Sequence, residues 1–253
     1  MKIHTDLSSP NFRARTSEVP FIILHHTVID LNQTLQAFMN PSSKVSSHYV
    51  IAKDGDIHAM VPLQKAAFHA GVSTWKKYKN LNNYSVGIEL VNSGYEPFTD
   101  NQYISVVETI NLIRKSYPIQ DSCILSHSDI APDRKIDVSS YFEWSRLYKD
   151  LKSEFACLFS EDISELSKDI LYKTGDRGQG VKKMQSELLN FGYPITGIDG
   201  IFGPESSRYM RAFNQHFCPE IFTHLTEKIQ YNAKNEMFHT ISKHKLKIIQ
   251  NLI

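Results

Sequence analysis

The chain is short of cysteine, has almost no net charge and contains no long apolar run, and each shortage argues against a class of protein. Its three cysteines, Cys123, Cys157 and Cys218, are odd in number and far apart. That spacing suggests neither a disulfide framework nor a thiolate zinc site, and ordinary buried thiols are expected. Lys+Arg of 28 against Asp+Glu of 27 leaves a formal charge of +1. No broad basic field is available to attract nucleic acid, so no DNA or RNA partner is expected. Nowhere do about 18 uncharged apolar residues run together, so no transmembrane helix is encoded. Residues 1–10 also lack the apolar core of a signal peptide.

What is present is the makeup of a globular protein: 41% hydrophobic and 22% charged residues over 253 positions. That length accommodates one domain of average size plus a smaller module. Phe21 to His26 is a short apolar run after Pro20 and reads as a buried strand ending in histidines. His48 to Ala52, the Asp54-Gly55 turn and Ile57 to Val61 read as a hairpin. In the strand expected over Tyr84 to Val91, Val86, Ile88 and Leu90 share one face while Gly87 and Glu89 occupy the other. Thr99 and Gln102 have the spacing of a capping box. Ile104, Val107, Ile110 and Ile113 then follow at helical intervals, which predicts about four turns of helix. Cys123 to Ser126 forms a further strand that delivers His127. Strands and helices alternate here, so an α/β fold with a mixed central sheet flanked by helices is expected.

A charged amphipathic stretch, Arg146 to Glu154, closes this first domain, which is placed at residues 1–155, with a linker over 156–174. Val181, Met184, Leu188 and Leu189 then have the spacing of an amphipathic helix. After a turn-rich break, Tyr209, Met210, Phe213 and Phe217 form a second apolar face. Residues 175–218 therefore read as a small all-α C-terminal module. In the tail, 219–253, Ile221, Leu225 and Ile229, then Phe238, Ile241, Ile248, Ile249 and Leu252, lie at roughly helical intervals. That stripe can pack within the chain or join two copies as a homodimer. Lys243, His244, Lys245 and Lys247 read as a solvated helix face.

The chemistry concentrates in His127-Ser-Asp-Ile-Ala-Pro-Asp-Arg-Lys-Ile-Asp137, which gathers an imidazole, a lysine and several carboxylates. A carboxylate and two histidines can share one Zn2+ and leave a fourth position for water. The second histidine is sought in His25-His26, and strand geometry alone does not choose between them, because neighbours face opposite sides. Lys135 and Asp137 share a face if their segment is extended. His127 and Asp129 could equally form a hydrogen-bonded turn. His58, His216, His224, His239 and His244 read as structural.

Five strings occur in the order of one family: Phe21-Ile-Ile-Leu-His-His-Thr27, Ser47-His-Tyr-Val-Ile51, Phe68-His-Ala-Gly-Val-Ser73, Ser85-Val-Gly-Ile-Glu-Leu90 and His127 to Asp137. Together they resemble the zinc-dependent N-acetylmuramoyl-L-alanine amidases of type 2, over about residues 15 to 150. The Asp-Ile-Ala-Pro-Asp-Arg-Lys run is most similar to the branch acting on 1,6-anhydro-muramyl peptides in cell-wall recycling. Residues 175 to 217 look like a peptidoglycan-binding module, with Asp199-Gly-Ile-Phe-Gly-Pro204 as its signature.

The resemblance implies one zinc ion per chain held by His25, His127 and Asp137, with Glu89 as general base and Lys135 stabilising the oxyanion. His48 and His69 would line the pocket wall and touch sugar or stem peptide. The implied partners are peptidoglycan or muropeptide fragments of a bacterium, in cytoplasm or periplasm. The alternative is a recognition protein that binds cell-wall fragments without hydrolysing them. Val138-Ser-Ser140 departs from the Pro-Gly that usually follows the family's last ligand.

Overall fold

The computed structural model describes residues 2–222 and 233–253. The expectations for His224, Leu225 and Ile229 lie outside the described residues. The chain forms two compact units. The first comprises Met1–Ser73, Tyr78–His127 and Asp137–Phe142; the second comprises Thr74–Lys77, Ser128–Ile136 and Glu143–Ile253.

The first unit is built on a six-stranded mixed sheet. Its strands run in the spatial order Ile3–His4, Ile57–Ala59, Tyr49–Ile51, Ser85–Leu90, Phe21–His26 and Ile124–Ser126. The expected hairpin is the antiparallel pair Tyr49–Ile51 with Ile57–Ala59, and the other pairings are parallel. Phe21 through His26 are all buried, as a run of Phe, Ile and Leu with both faces covered requires. Leu35, Phe38, Val50, Met60, Val61, Ala67 and Val91 form an apolar cluster in this unit.

Helix Asp100–Arg114 starts at the predicted capping box: the Gln102 N–H donates to Thr99 Oγ1, and the Thr99 N–H donates to Gln102 Oε1. Its buried face is only partly the predicted one. Tyr103, Val106, Ile110 and Ile113 point inward while Ile104 is 49% exposed. The helix is turned because the Gln102 side chain is itself buried and donates to the Val91 carbonyl. That bond draws the side carrying residues 102, 103 and 106 inward.

In the second unit, helix Gln179–Phe191 buries Val181, Met184, Leu188 and Phe191. Leu189, expected inside, is 39% exposed. Helix Pro204–Phe217 buries Met210, Phe213 and Phe217, with Tyr209 only partly covered. In the tail, Phe238–His239 pairs antiparallel with Ile170–Tyr172, tying the end of the chain to the region expected as linker. Helix Thr240–Leu252 follows, and its Ile241, Leu246 and Ile249 are buried against the two preceding helices.

The tail's basic face is not wholly solvated. Lys245 is fully buried, and its Nζ donates to the Phe217 carbonyl at 2.7 Å and to both Glu220 carboxylate oxygens at 2.8 and 2.9 Å. A buried ammonium is tolerable only with such partners. The cysteines also differ from expectation: Cys218 alone is buried, Cys123 is half-buried and Cys157 is exposed. A small, weakly polar thiol carries no penalty for exposure large enough to force it inside. Among the described residues, no helix is long and apolar enough to cross a membrane.

Candidate metal centre

Strand Phe21–His26 carries His25 to its end, and strand Ile124–Ser126, paired beside it, carries the chain into His127. Asp137 completes a buried group of three. His25 Nδ1 lies 2.9 Å from His127 Nδ1 and 3.1 Å from Asp137 Oδ2, and His127 Nδ1 lies 3.0 Å from the same oxygen.

The outer partners assign the tautomers of both rings. His127 Nε2 lies 3.2 Å from the Ala70 carbonyl, which can only accept, so the ring proton sits on Nε2 and the Nδ1 lone pair faces the centre. For His25 the same result follows through a relay. Ser85 Oγ donates to the Leu81 carbonyl at 2.6 Å and therefore accepts from His69 Nε2–H at 3.2 Å. His69 Nδ1 then accepts from His25 Nε2–H at 2.9 Å. Burial, reinforced by His25 and His48, keeps the His69 ring neutral, which this relay requires.

Two imidazole lone pairs and one carboxylate oxygen thus converge at about hydrogen-bond distance. They lack protons enough to satisfy one another. Nitrogen and oxygen donors of this kind suit a zinc ion, and second partners that lock each ring are the usual support of such a ligand set. Residues and group fit.

The neighbouring strand places Glu89 in register with His25, and Gly87 with Ile23. Registered residues on parallel strands project from the same face, so Glu89 and His25 point the same way. Gly87 lies two residues earlier on that face. A Cβ there would come within 2.5 Å of the His69 ring, so glycine leaves the space that His69 occupies behind His25.

His26, which strand geometry left as an alternative, faces away: its Nδ1 accepts from the Ser139 N–H at 3.2 Å, bracing the stretch after Asp137. His48 and His69 are both buried. His48 Nδ1 accepts from the Gly87 N–H at 3.0 Å, and Nε2 faces the Lys65 carbonyl at 3.1 Å. Both rings therefore spend their nitrogens on protein partners. The Asp129 carboxylate oxygens meet Tyr193 Oη at 2.6 Å and His216 Nδ1 at 2.8 Å.

Lys135 is half-buried and follows a turn in which the N–H groups of Arg134 and Lys135 both donate to the Ala131 carbonyl. The sequence pattern gives Ser85, the anchor of the relay, no role of its own, although the alternation Ser85, Gly87, Glu89 against Val86, Ile88, Leu90 marks a small polar face.

Beyond the strand end, Val28 holds φ at 68°, a left-handed conformation rare for a β-branched residue. Its N–H donates to the Asn92 carbonyl at 3.0 Å, and its side chain is 62% exposed. It borders a cleft of about 480 Å³ shared with Asp30, Lys53, Asn92 and Glu96.

Residues 15–139 match the family Amidase_2, N-acetylmuramoyl-L-alanine amidase. The 1,6-anhydro-N-acetylmuramyl-L-alanine amidase AmpD of Haemophilus influenzae is 44% identical over 110 residues, covering 43% of this chain and 60% of that protein. The match thus spans less than two thirds of that relative. The N-acetylmuramoyl-L-alanine amidase AmiD of Escherichia coli is 26% identical over 226 residues, 83% of this chain and 79% of that protein. A structure of AmiD from E. coli in complex with anhydro-N-acetylmuramic acid-L-Ala-D-gamma-Glu-L-Lys shares the fold, with a TM-score of 0.71 at 22% identity. That match covers 98% of this chain and 92% of that one. Residues 15–139, which carry the His25, His127 and Asp137 cluster, are a domain of the N-acetylmuramoyl-L-alanine amidase family.

Proposed function

We propose that the protein is a zinc-dependent amidase that cleaves the bond between the muramic acid lactyl group and L-alanine, in peptidoglycan or in 1,6-anhydro muropeptides. The observation that carries this reading is the convergence of His25 Nδ1, His127 Nδ1 and Asp137 Oδ2 within 3.1 Å, with Glu89 in register beside His25. Those three residues would hold the zinc ion, which when bound would supply Lewis acidity for the amide carbonyl and a water with its pKa lowered to about 7.

Glu89 takes the proton from the attacking water and returns it to the leaving amine, so no nucleophilic side chain is needed. Lys135, two residues before Asp137, stabilises the negative charge on the carbonyl oxygen. Residues 175–218 serve as the peptidoglycan-binding module.

Support for the substrate class comes from the names of AmpD and AmiD and from the anhydro-muropeptide in the AmiD complex. The test is digestion of intact sacculi and of anhydro-muropeptides by the zinc-loaded protein, read by mass spectrometry. Release of free stem peptide is expected. A protein that binds zinc and releases none from either substrate is a recognition protein, and the enzymatic reading fails.

A further inference from the structure

The stretch Ser128–Ile136 runs between two members of the metal cluster, His127 and Asp137, and belongs to the second compact unit. Within that unit several of its polar groups bond to helix Pro204–Phe217. Arg211 Nη2 donates to the Pro132 carbonyl and reaches the Lys135 carbonyl at 3.5 Å. One turn later, Gln215 Nε2 donates to the Ile136 carbonyl at 2.7 Å. His216 Nδ1–H donates to Asp129 Oδ2 at 2.8 Å, while Tyr193 Oη donates to Asp129 Oδ1 at 2.6 Å.

These groups are buried. Arg211 is 5% exposed, Gln215 7%, His216 1% and Asp129 0%. The His216 ring is itself clamped, stacked on Trp144 at 3.5 Å between centroids, with Nε2 accepting from Tyr148 Oη at 2.9 Å. Arg211 and Gln215, four residues apart, share one helix face. A helix whose task was only to display a binding surface would leave such side chains in water. Here they are buried, and each bond left unmade would leave a desolvated polar group at appreciable cost.

We propose that helix Pro204–Phe217, through Arg211, Gln215 and His216, is the positioning element for the loop that joins His127 to Asp137. Its bonds fix the path of nine intervening residues and so the spacing and orientation at which the two ligands present themselves. Resting on the zinc reading above, this makes the C-terminal module part of the metal site's architecture in addition to any role in binding cell wall. The assigned residues are positioning residues and touch neither metal nor substrate. Their effect on the site travels through the backbone carbonyls of Pro132, Lys135 and Ile136.

The test uses the full chain with Arg211→Ala, Arg211→Lys, Gln215→Ala and Gln215→Glu. Three quantities are read: zinc affinity against a chromophoric chelator, the visible spectrum of the cobalt-loaded protein, and amide exchange of residues 128–136 in the metal-free protein. Arg211→Ala and Gln215→Ala should each weaken zinc binding about 10- to 100-fold, the usual effect of removing support from a ligand. They should also shift the cobalt bands and speed exchange across 128–136. Arg211→Lys retains a donor for the Pro132 carbonyl and should recover most of the affinity. Gln215→Glu keeps the volume but cannot donate, so it should behave as the alanine variant does, and it carries the test if the smaller side chain unfolds the protein. Variants that lose thermal stability yet keep wild-type zinc affinity and cobalt spectrum would overturn the proposal and leave a purely structural staple. A wild-type chain that binds neither zinc nor cobalt would instead overturn the metal reading, and this inference with it.

Discussion

His69 Nδ1 lies 2.9 Å from His25 Nε2, on the side of the His25 ring opposite the nitrogen that faces His127 and Asp137. That contact directs the His25 lone pair to the metal centre, and Ser85 behind His69 orients the donor in turn. Removing it with His69→Ala should lower zinc affinity about 10- to 100-fold, because His25 would lose both its orientation and its tautomer. Chelator competition measures this. An unchanged dissociation constant would show that the relay is incidental.

Gly87 makes room for that ring. Gly87→Ala would set a methyl 2.5 Å from His69 Cγ, and the ring has little freedom to retreat because His25 and Ser85 hold its two nitrogens. Overpacking of this kind costs about 1–3 kcal/mol. Urea unfolding should register that loss, and zinc affinity should fall with it. A variant as stable as the parent would mean that His69 can move aside.

Glu89 and Lys135 separate chemistry from metal binding. Glu89→Gln should lower kcat about 10²- to 10⁴-fold, the range for loss of a general base. Lys135→Ala should lower it about 10²- to 10³-fold through lost oxyanion stabilisation. Zinc content by atomic absorption should stay at the wild-type level in both. Full activity in either variant would remove that residue from the proposed mechanism.

Much of this arrangement could be read from local pattern. Alternation along Ser85–Leu90 placed Glu89 opposite the apolar row, and a six-residue apolar run placed His25 and His26 at a buried strand end. What local pattern could not supply was information held in another segment. The choice between His25 and His26 depends on the Ser139 N–H, which claims His26 from over a hundred positions away. The face of helix Asp100–Arg114 depends on a carbonyl at Val91 that accepts from Gln102. The fate of Lys245 depends on Glu220 and the end of the preceding helix. Periodicity reports which residues share a side, whereas the partner that captures a polar group decides which side turns inward.

The buried histidines also predict how stability responds to acid. Burial pushes the His48 ring down to about 3, with the Lys65 carbonyl pulling partly back and Arg15 adding to the depression. An unfolded histidine titrates near 6.5, so between roughly pH 6.5 and 3 the unfolded chain binds a proton that the folded chain refuses. Stability is therefore complete above about pH 6.5 and declines as pH falls through that window. From pH 7 to 5 the loss attributable to His48 is about 2 kcal/mol, and His69, also held well below its ordinary value, acts in the same direction. Urea unfolding of the chelator-treated protein at the two pH values measures the drop. His48→Gln should reduce the slope, and stability that stays level between pH 7 and 5 would show that these rings take up protons in the folded state as readily as in water.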